Sequence, residues 1–146
     1  MFDSAVADLS KQKVQTYCAT YRHPNLGSFK VSEMYTMSKE AGRSWEGTDV
    51  SYRHGCYLIY SESGELLYIG KASLTTSNIG RRLWVHLHKP RPSWVPPAAF
   101  VQIVEVGQPF EAASLEEFLI QELHPKFNAH GRTRGEEISD LLAVRA

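Results

Sequence analysis

Cysteine is scarce in this sequence, and the two cysteines present, Cys18 and Cys56, stand far apart. Neither belongs to a paired spacing, so the sequence indicates neither a disulfide framework nor a thiolate zinc site. An excess of charge of one sign is also missing, because 16 basic residues balance 16 acidic ones. The net charge of zero therefore provides no general attraction to nucleic acid.

Long apolar runs are absent as well. No run approaches the roughly 20 residues that a membrane-spanning helix needs. The first six residues have neither the basic start nor the apolar stretch of a signal peptide. We therefore expect a cytoplasmic protein without a membrane segment, and 146 residues predict one compact domain.

Charge is unevenly distributed along the chain. Residues 68–91 contain no acidic residue and five basic ones: Lys71, Arg81, Arg82, Lys89 and Arg91. Residues 100–131 contain five glutamates and one lysine. This separation suits a site that holds both phosphate and metal, although a solvated, salt-bridging surface is the more common cause of a charge pattern alone.

Periodicity and turn residues predict the order of helices and strands. The predicted helices cover residues 2–21, 78–88 with Asn78 as N-cap, 111–123, and 136–144. The predicted strands cover residues 55–60, 66–69 and 100–106, and residues 29–37 suit either a strand or a short helix. Residues 39–53 are predicted as a polar loop, and residues 89–97, which contain four prolines, as another loop.

The first two predicted strands form a hairpin around the turn Ser63-Gly64. That turn sets Ile59 opposite Tyr68 and Tyr57 opposite Gly70, so the side chains at 57, 59 and 68 share one face of the sheet. Aromatic residues favour strands in general, and for either tyrosine alone this is the better explanation.

Two predicted helices carry polar residues in unusual places. Glu116 falls in the middle of an apolar arc, where a carboxylate is costly unless it is paired with a cation or a metal. Its neighbour Glu117 lies on the opposite face and fits a capping box with Ser114. We therefore expect Glu116 to be functional and Glu117 to be structural.

The helix over residues 78–88 has a core stripe formed by Ile79, Leu83, Trp84 and Leu87. Arg82 and His86 are four residues apart and border this stripe. Arg81 points to the wet face. A lone arginine on a helix is usually only solvated, but an Arg–His pair beside a buried stripe is a better site candidate.

Together these segments resemble the GIY-YIG nuclease family. The family motifs correspond to Gly55-Cys56-Tyr57, Tyr68-Ile69-Gly70-Lys71, Arg82-Leu83 with His86, and Glu116 to Asn128. Cys56 replaces the isoleucine or valine that the family often has. The last stretch is similar to the helix and loop at the same place in the GIY-YIG domain of the excision-repair nuclease.

This resemblance covers about residues 54–130 and implies an α+β fold. Its centre would be a small antiparallel three-stranded sheet flanked by helices. The expected nuclease core is residues 54–131, with residues 1–53 as an N-terminal extension on or beside it. Residues 132–146 would form a short C-terminal helix.

The resemblance also implies a metal-dependent endonuclease that cuts DNA with one Mg²⁺ or Mn²⁺ ion. Glu116 would bind the ion, and Arg82 would clamp the phosphate. Tyr57 is the preferred general base and Tyr68 the alternative. The remaining catalytic candidates are His86, which would relay a proton or orient water, Lys71, which would supply positive charge, and Asn128, which would position the site.

Nucleic-acid contacts are expected from the basic residues Lys71, Arg81, Arg82, Lys89, Arg91, Arg132 and Arg134. Trp94 could stack on a base, but a packed loop aromatic is the more common case. The alternative functions are a non-catalytic nucleic-acid-binding module and a subunit of a repair, restriction or defence complex. Residues 1–53 have no counterpart in the family core, so strand and sequence preference stay open.

Overall fold

A computed structural model of the protein describes residues 1–37, 45, 48–73, 78–88 and 93–128. Within these residues, periodic segments separated by turns form three α-helices and five strands. The helices are α1 (Ala5–Tyr21), α2 (Ile79–His88) and α3 (Pro109–Leu123). The strands are β1 (Lys30–Val31), β2 (Tyr35–Thr36), β3 (Gly55–Ser61), β4 (Leu66–Ala72) and β5 (Ala98–Glu105). Two short 3-10 helices cover Pro24–Leu26 and Asp49–Tyr52.

The three longest strands form the antiparallel centre of the sheet, in the order β5-β3-β4. The predicted hairpin register is confirmed, because Ile59 pairs with Tyr68 and Tyr57 pairs with Gly70. Gly64 closes the hairpin at φ +97°, a conformation that glycine adopts without the steric cost of a side chain. The predicted α+β fold with a central three-stranded sheet is therefore confirmed.

Two short strands from the N-terminal region extend this sheet. Both β1 and β2 pair with β5 on the side away from β3. Each is only two residues long, so neither contains enough residues for a period-2 pattern to be visible in the sequence. Residues 29–37 thus contribute strands, one of the two possibilities that the sequence left open.

Helix α1 packs against α3 on one face of the sheet. Its Val14, Tyr17 and Cys18 are buried with sheet residues such as Leu58 and Ile69. A buried hydrogen bond of 2.9 Å between the Ser10 hydroxyl and the Tyr60 hydroxyl also joins the helix to β3. Helix α1 therefore shares the hydrophobic core on this face of the sheet.

The opposite face of the sheet packs against α2. Tyr57, Ile59 and Ile103 from the sheet are buried there with Leu83 and Leu87 from the helix. This division follows from the pleat, because successive strand residues point to opposite faces. It places Tyr57 and Tyr68 on the α2 side of the sheet.

Two local predictions differ from the structure. Trp84 is 46% exposed and lies outside the core stripe of α2. The capping box of α3 joins Gln108 and Glu111, so the predicted box with Ser114 and Glu117 is wrong. The helix begins at Pro109, which places Ser114 inside it, where its hydroxyl accepts a hydrogen bond of 2.7 Å from Tyr17.

The predicted C-terminal helix over residues 136–144 lies outside the described residues. Within the described part of the chain, no helix has the length and apolar character needed to cross a membrane.

Candidate active site

Two tyrosines lie side by side on adjacent strands. Their ring centroids, Tyr57 on β3 and Tyr68 on β4, are 6.4 Å apart at an interplanar angle of 36°. The Tyr57 ring lies directly over Gly70, where an added Cβ would be 2.3 Å from the ring carbon Cζ and from the hydroxyl oxygen. Glycine at position 70 therefore creates the space in which Tyr57 sits.

Helix α2 brings Arg82 and His86 to these tyrosines. Its first turn is capped by Asn78, whose side-chain oxygen accepts a 2.8 Å hydrogen bond from the Arg81 backbone, as the sequence predicts. His86 Nε2 lies 2.7 Å from the Tyr57 hydroxyl oxygen, which is hydrogen-bond distance. The predicted Arg–His pair thus borders the buried stripe of α2 and faces the tyrosines.

Burial determines the protonation of these rings. It raises the pKa of Tyr57 far above its ordinary value; Tyr68 adds to that rise, and the charge and hydrogen bond of Arg82 oppose it. Burial, and secondarily Glu116, also raises the pKa of Tyr68. Burial, aided by the Arg82 charge, lowers the pKa of His86 to about 4. At neutral pH both tyrosines are therefore protonated and His86 is neutral.

Glu116 extends from α3 among apolar neighbours, as the helical periodicity predicts. Its side chain is 19% exposed, and Oε1 lies 3.9 Å from Nζ of Lys71 on β4. The charge of Glu116 reaches both tyrosines, since it contributes to their raised pKa values. Lys71 thus supplies a cation for a carboxylate that would otherwise be costly in this position. Glu117, by contrast, is exposed to solvent.

Asn128 acts on the backbone of β4. Its side-chain oxygen accepts a 2.8 Å hydrogen bond from the Ile69 amide, and its side-chain nitrogen donates one of 2.9 Å to the Ile69 carbonyl. The preceding backbone amides of Lys126 and Phe127 also bond to β4 carbonyls, at 3.2 and 2.8 Å. Asn128 therefore holds the strand segment between Tyr68 and Gly70 in place.

The described residues offer few ligands for a metal ion at this site. Among the described residues, no group of three or more His, Cys, Asp or Glu side chains is close enough to hold an ion. A single carboxylate, Glu116, suits a hard ion such as Mg²⁺, which keeps several waters and takes further oxygens from a substrate phosphate. It does not suit a structural zinc site, which needs four protein ligands.

The predicted nucleic-acid contacts fall into three groups. Arg82 and Lys71 lie at the site and are partly buried, whereas Arg81 is exposed on the outer side of α2. The other predicted contacts lie outside the described residues: Lys89, Arg91, Arg132 and Arg134.

The contacts of Trp94 with the site residues were not predicted from the sequence. Its indole stacks on the Tyr68 ring, with centroids 4.9 Å apart at 15°, and contacts His86 edge-on at 5.0 Å. Trp94 is 2% exposed, so it is the packed loop aromatic that the sequence favoured over a base-stacking one. Its neighbours could not be predicted, because a proline-rich segment has no periodicity to indicate which way a side chain points.

Comparison with known proteins agrees with this arrangement. A family model described as the UvrC-like GIY-YIG domain matches residues 53–129, just over half of the chain. The matched segment contains every residue placed at the site above. No curated protein matches the chain significantly.

Proposed function

This chain belongs to the GIY-YIG nuclease family, and we propose that it is an endonuclease that hydrolyses phosphodiester bonds of DNA with one Mg²⁺ or Mn²⁺ ion. The observation that carries the proposal is the convergence of five side chains from four elements. They are Tyr57, Tyr68, Arg82, His86 and Glu116. Phosphodiester hydrolysis requires an activated water, neutralisation of the phosphoryl charge and stabilisation of the leaving group.

Arg82 is the proposed phosphate clamp. Its guanidinium is partly buried beside the tyrosines, where a fixed positive charge is screened less than on the surface. A guanidinium can hold two phosphate oxygens through parallel hydrogen bonds. Lys71 contributes a second positive charge, which lies beside the Glu116 carboxylate.

The choice of general base depends on access to water. A base must come within hydrogen-bond reach of the water that it deprotonates. Tyr57 is 0% exposed, and its hydroxyl is bonded to His86, whereas Tyr68 is partly exposed. Burial therefore favours Tyr68 as the base, although the sequence alone favoured Tyr57. We assign Tyr57 and His86 to a hydrogen-bonded pair that positions the site.

Glu116 would hold the divalent ion. When bound, such an ion supplies positive charge that stabilises the phosphoryl oxygens and lowers the cost of ionising a nearby tyrosine. That contribution matters for Tyr68, because burial raises its pKa and Arg82 lowers it only in part. Asn128 keeps Tyr68 in register by holding the backbone of Ile69.

The proposal is tested by incubating the pure protein with single-stranded and duplex DNA and RNA. Each substrate is tested with Mg²⁺, with Mn²⁺ and with a chelator, and Tyr68→Phe and Tyr57→Phe are compared with the wild type. We expect metal-dependent cleavage of DNA, with a greater loss of kcat in Tyr68→Phe. Binding of DNA without cleavage under any metal condition would contradict the proposal and favour a non-catalytic nucleic-acid-binding module.

A further inference from the structure

Four aromatic rings form a contiguous cluster at the proposed site. The Trp94 indole stacks on Tyr68 and meets His86 edge-on. The His86 ring in turn lies edge-on to Tyr68 and to Tyr57, with centroids 5.7 and 5.8 Å apart. Trp94 is the member of this cluster that carries no titratable group.

From this geometry we propose that Trp94 is a positioning residue, which fixes the ring planes of Tyr68 and His86 for the reaction. The inference rests on the proposed nuclease function. Stacked and edge-on aromatic pairs at these separations are stabilising and restrict the orientation of each ring. Reaction rates are sensitive to such orientation, since a misplacement of about 1 Å can cost on the order of 100-fold.

The backbone that carries Trp94 is well suited to this role. Two prolines, Pro96 and Pro97, follow Val95, and each restricts its own backbone and that of the residue before it. A 3.2 Å hydrogen bond from the Ala98 amide to the Val95 carbonyl closes this turn at the start of β5. Trp94 therefore projects from a constrained turn that is joined directly to the central sheet.

The buried indole also keeps water away from the rings that it contacts. Burial is the largest cause of the low pKa of His86, and Arg82 on the same helix acts in the same direction. Among the residues that the structure describes, the Tyr57 hydroxyl and the edge of the Tyr68 ring also face His86. If Trp94 is removed and its place partly fills with water, the pKa of His86 should rise toward its ordinary value.

The test compares Trp94→Met, which fills the space without a ring, with Trp94→Phe, which keeps one. The matched control is Trp45→Met, because Trp45 is equally buried in the same hydrophobic cluster. We expect Trp94→Met to lower kcat at least about tenfold with little change in KM, Trp94→Phe to recover most of that loss, and Trp45→Met to keep kcat near wild type. Equal losses of kcat in Trp94→Met and Trp45→Met, or wild-type kcat in Trp94→Met, would overturn the proposal.

A second measurement is independent of cleavage. NMR of the wild type should show the Tyr68 ring protons shifted by the stacked indole, and His86 titrating well below its ordinary range. In Trp94→Phe His86 should still titrate well below its ordinary range, and the Tyr68 shift should become smaller because a phenyl ring has a weaker ring current than an indole. In Trp94→Met the Tyr68 shift should be lost and His86 should titrate at a higher pH. An unchanged Tyr68 shift in Trp94→Phe would show that the indole does not stack on Tyr68, and would overturn the positioning role even if Trp94→Met does not fold. If the wild type cuts nothing but these shifts respond as expected, the nuclease function fails and the ring geometry stands.

Discussion

Replacing Gly70 with alanine places a methyl group where the Tyr57 ring lies. The new Cβ would be 2.3 Å from Cζ and from the hydroxyl oxygen of Tyr57, whereas ordinary contact begins at 3.4 Å. The ring and the β4 backbone must therefore separate by at least about 1 Å. Both are held in place, because Gly70 pairs with Tyr57 in the β3–β4 ladder and the ring is fully buried.

The displacement has two expected costs. Overpacking of a buried site typically destabilises a protein by about 1–3 kcal/mol. The Tyr57 hydroxyl lies 2.7 Å from His86 Nε2, so a shift of about 1 Å carries that pair beyond hydrogen-bond distance. For a misplacement of this size within a catalytic site, we expect a loss in kcat on the order of 100-fold.

Urea denaturation and single-turnover cleavage measure the two effects separately. The control is the same alanine in a Tyr57→Leu background, where the ring atoms that meet the methyl group are gone. There the added alanine should cost much less stability, because the two substitutions share one contact. Wild-type stability and cleavage in Gly70→Ala, or an undiminished cost in the Tyr57→Leu background, would refute the reasoning.

Further predictions concern the arginines, the histidine and the N-terminal region. Arg82→Ala should nearly abolish turnover at saturating substrate, while Arg81→Ala should mainly weaken DNA binding and its salt dependence; equal losses of turnover would contradict the assignment. Because the pKa of His86 is lowered to about 4, the unfolded chain binds a proton at this residue at a higher pH than the folded protein does. The free energy of unfolding of the wild type should therefore decrease as the pH falls from about 6.5 toward 4. In parallel urea titrations it should decrease more steeply than that of His86→Gln, and the same pH dependence in both proteins would contradict the prediction. Deleting residues 1–53 should abolish cooperative unfolding, since α1 and the β1 and β2 strands are lost from the core; a fragment that melts cooperatively in circular dichroism would show otherwise.

Local periodicity was enough to predict where several of the candidate site residues lie. The turn Ser63-Gly64 fixes the hairpin register, and that register places Tyr57 and Tyr68 on one face. Helical spacing likewise places Arg82 and Glu116 on the partly buried sides of their helices, and Arg81 and Glu117 on the exposed sides. These predictions succeed because each depends on residues within one hairpin or one helix.

Contacts between distant segments could not be predicted in this way. The pairing of Lys71 with Glu116 joins β4 to α3, and the stacking of Trp94 on Tyr68 joins a proline-rich turn to β4. The error in the α3 cap has a related cause. Ser114 has the right spacing for a capping box, but the helix already begins at Pro109, where Gln108 and Glu111 satisfy the free amides.

We propose that Glu116 holds the catalytic ion, and metal-dependent cleavage by Glu116→Gln beside Glu117→Gln tests this assignment most directly. Glutamine keeps the shape of the side chain and removes the charge, so Glu116→Gln should lose on the order of hundreds-fold in rate. Its Tm should stay near the wild-type value, because glutamine keeps the packing and Lys71, which loses its carboxylate partner, is partly exposed to solvent. Glu117→Gln should cut at the wild-type rate, since Glu117 is exposed and has no part in the α3 cap. An active Glu116→Gln protein, or a folded Glu117→Gln protein without activity, would contradict the account.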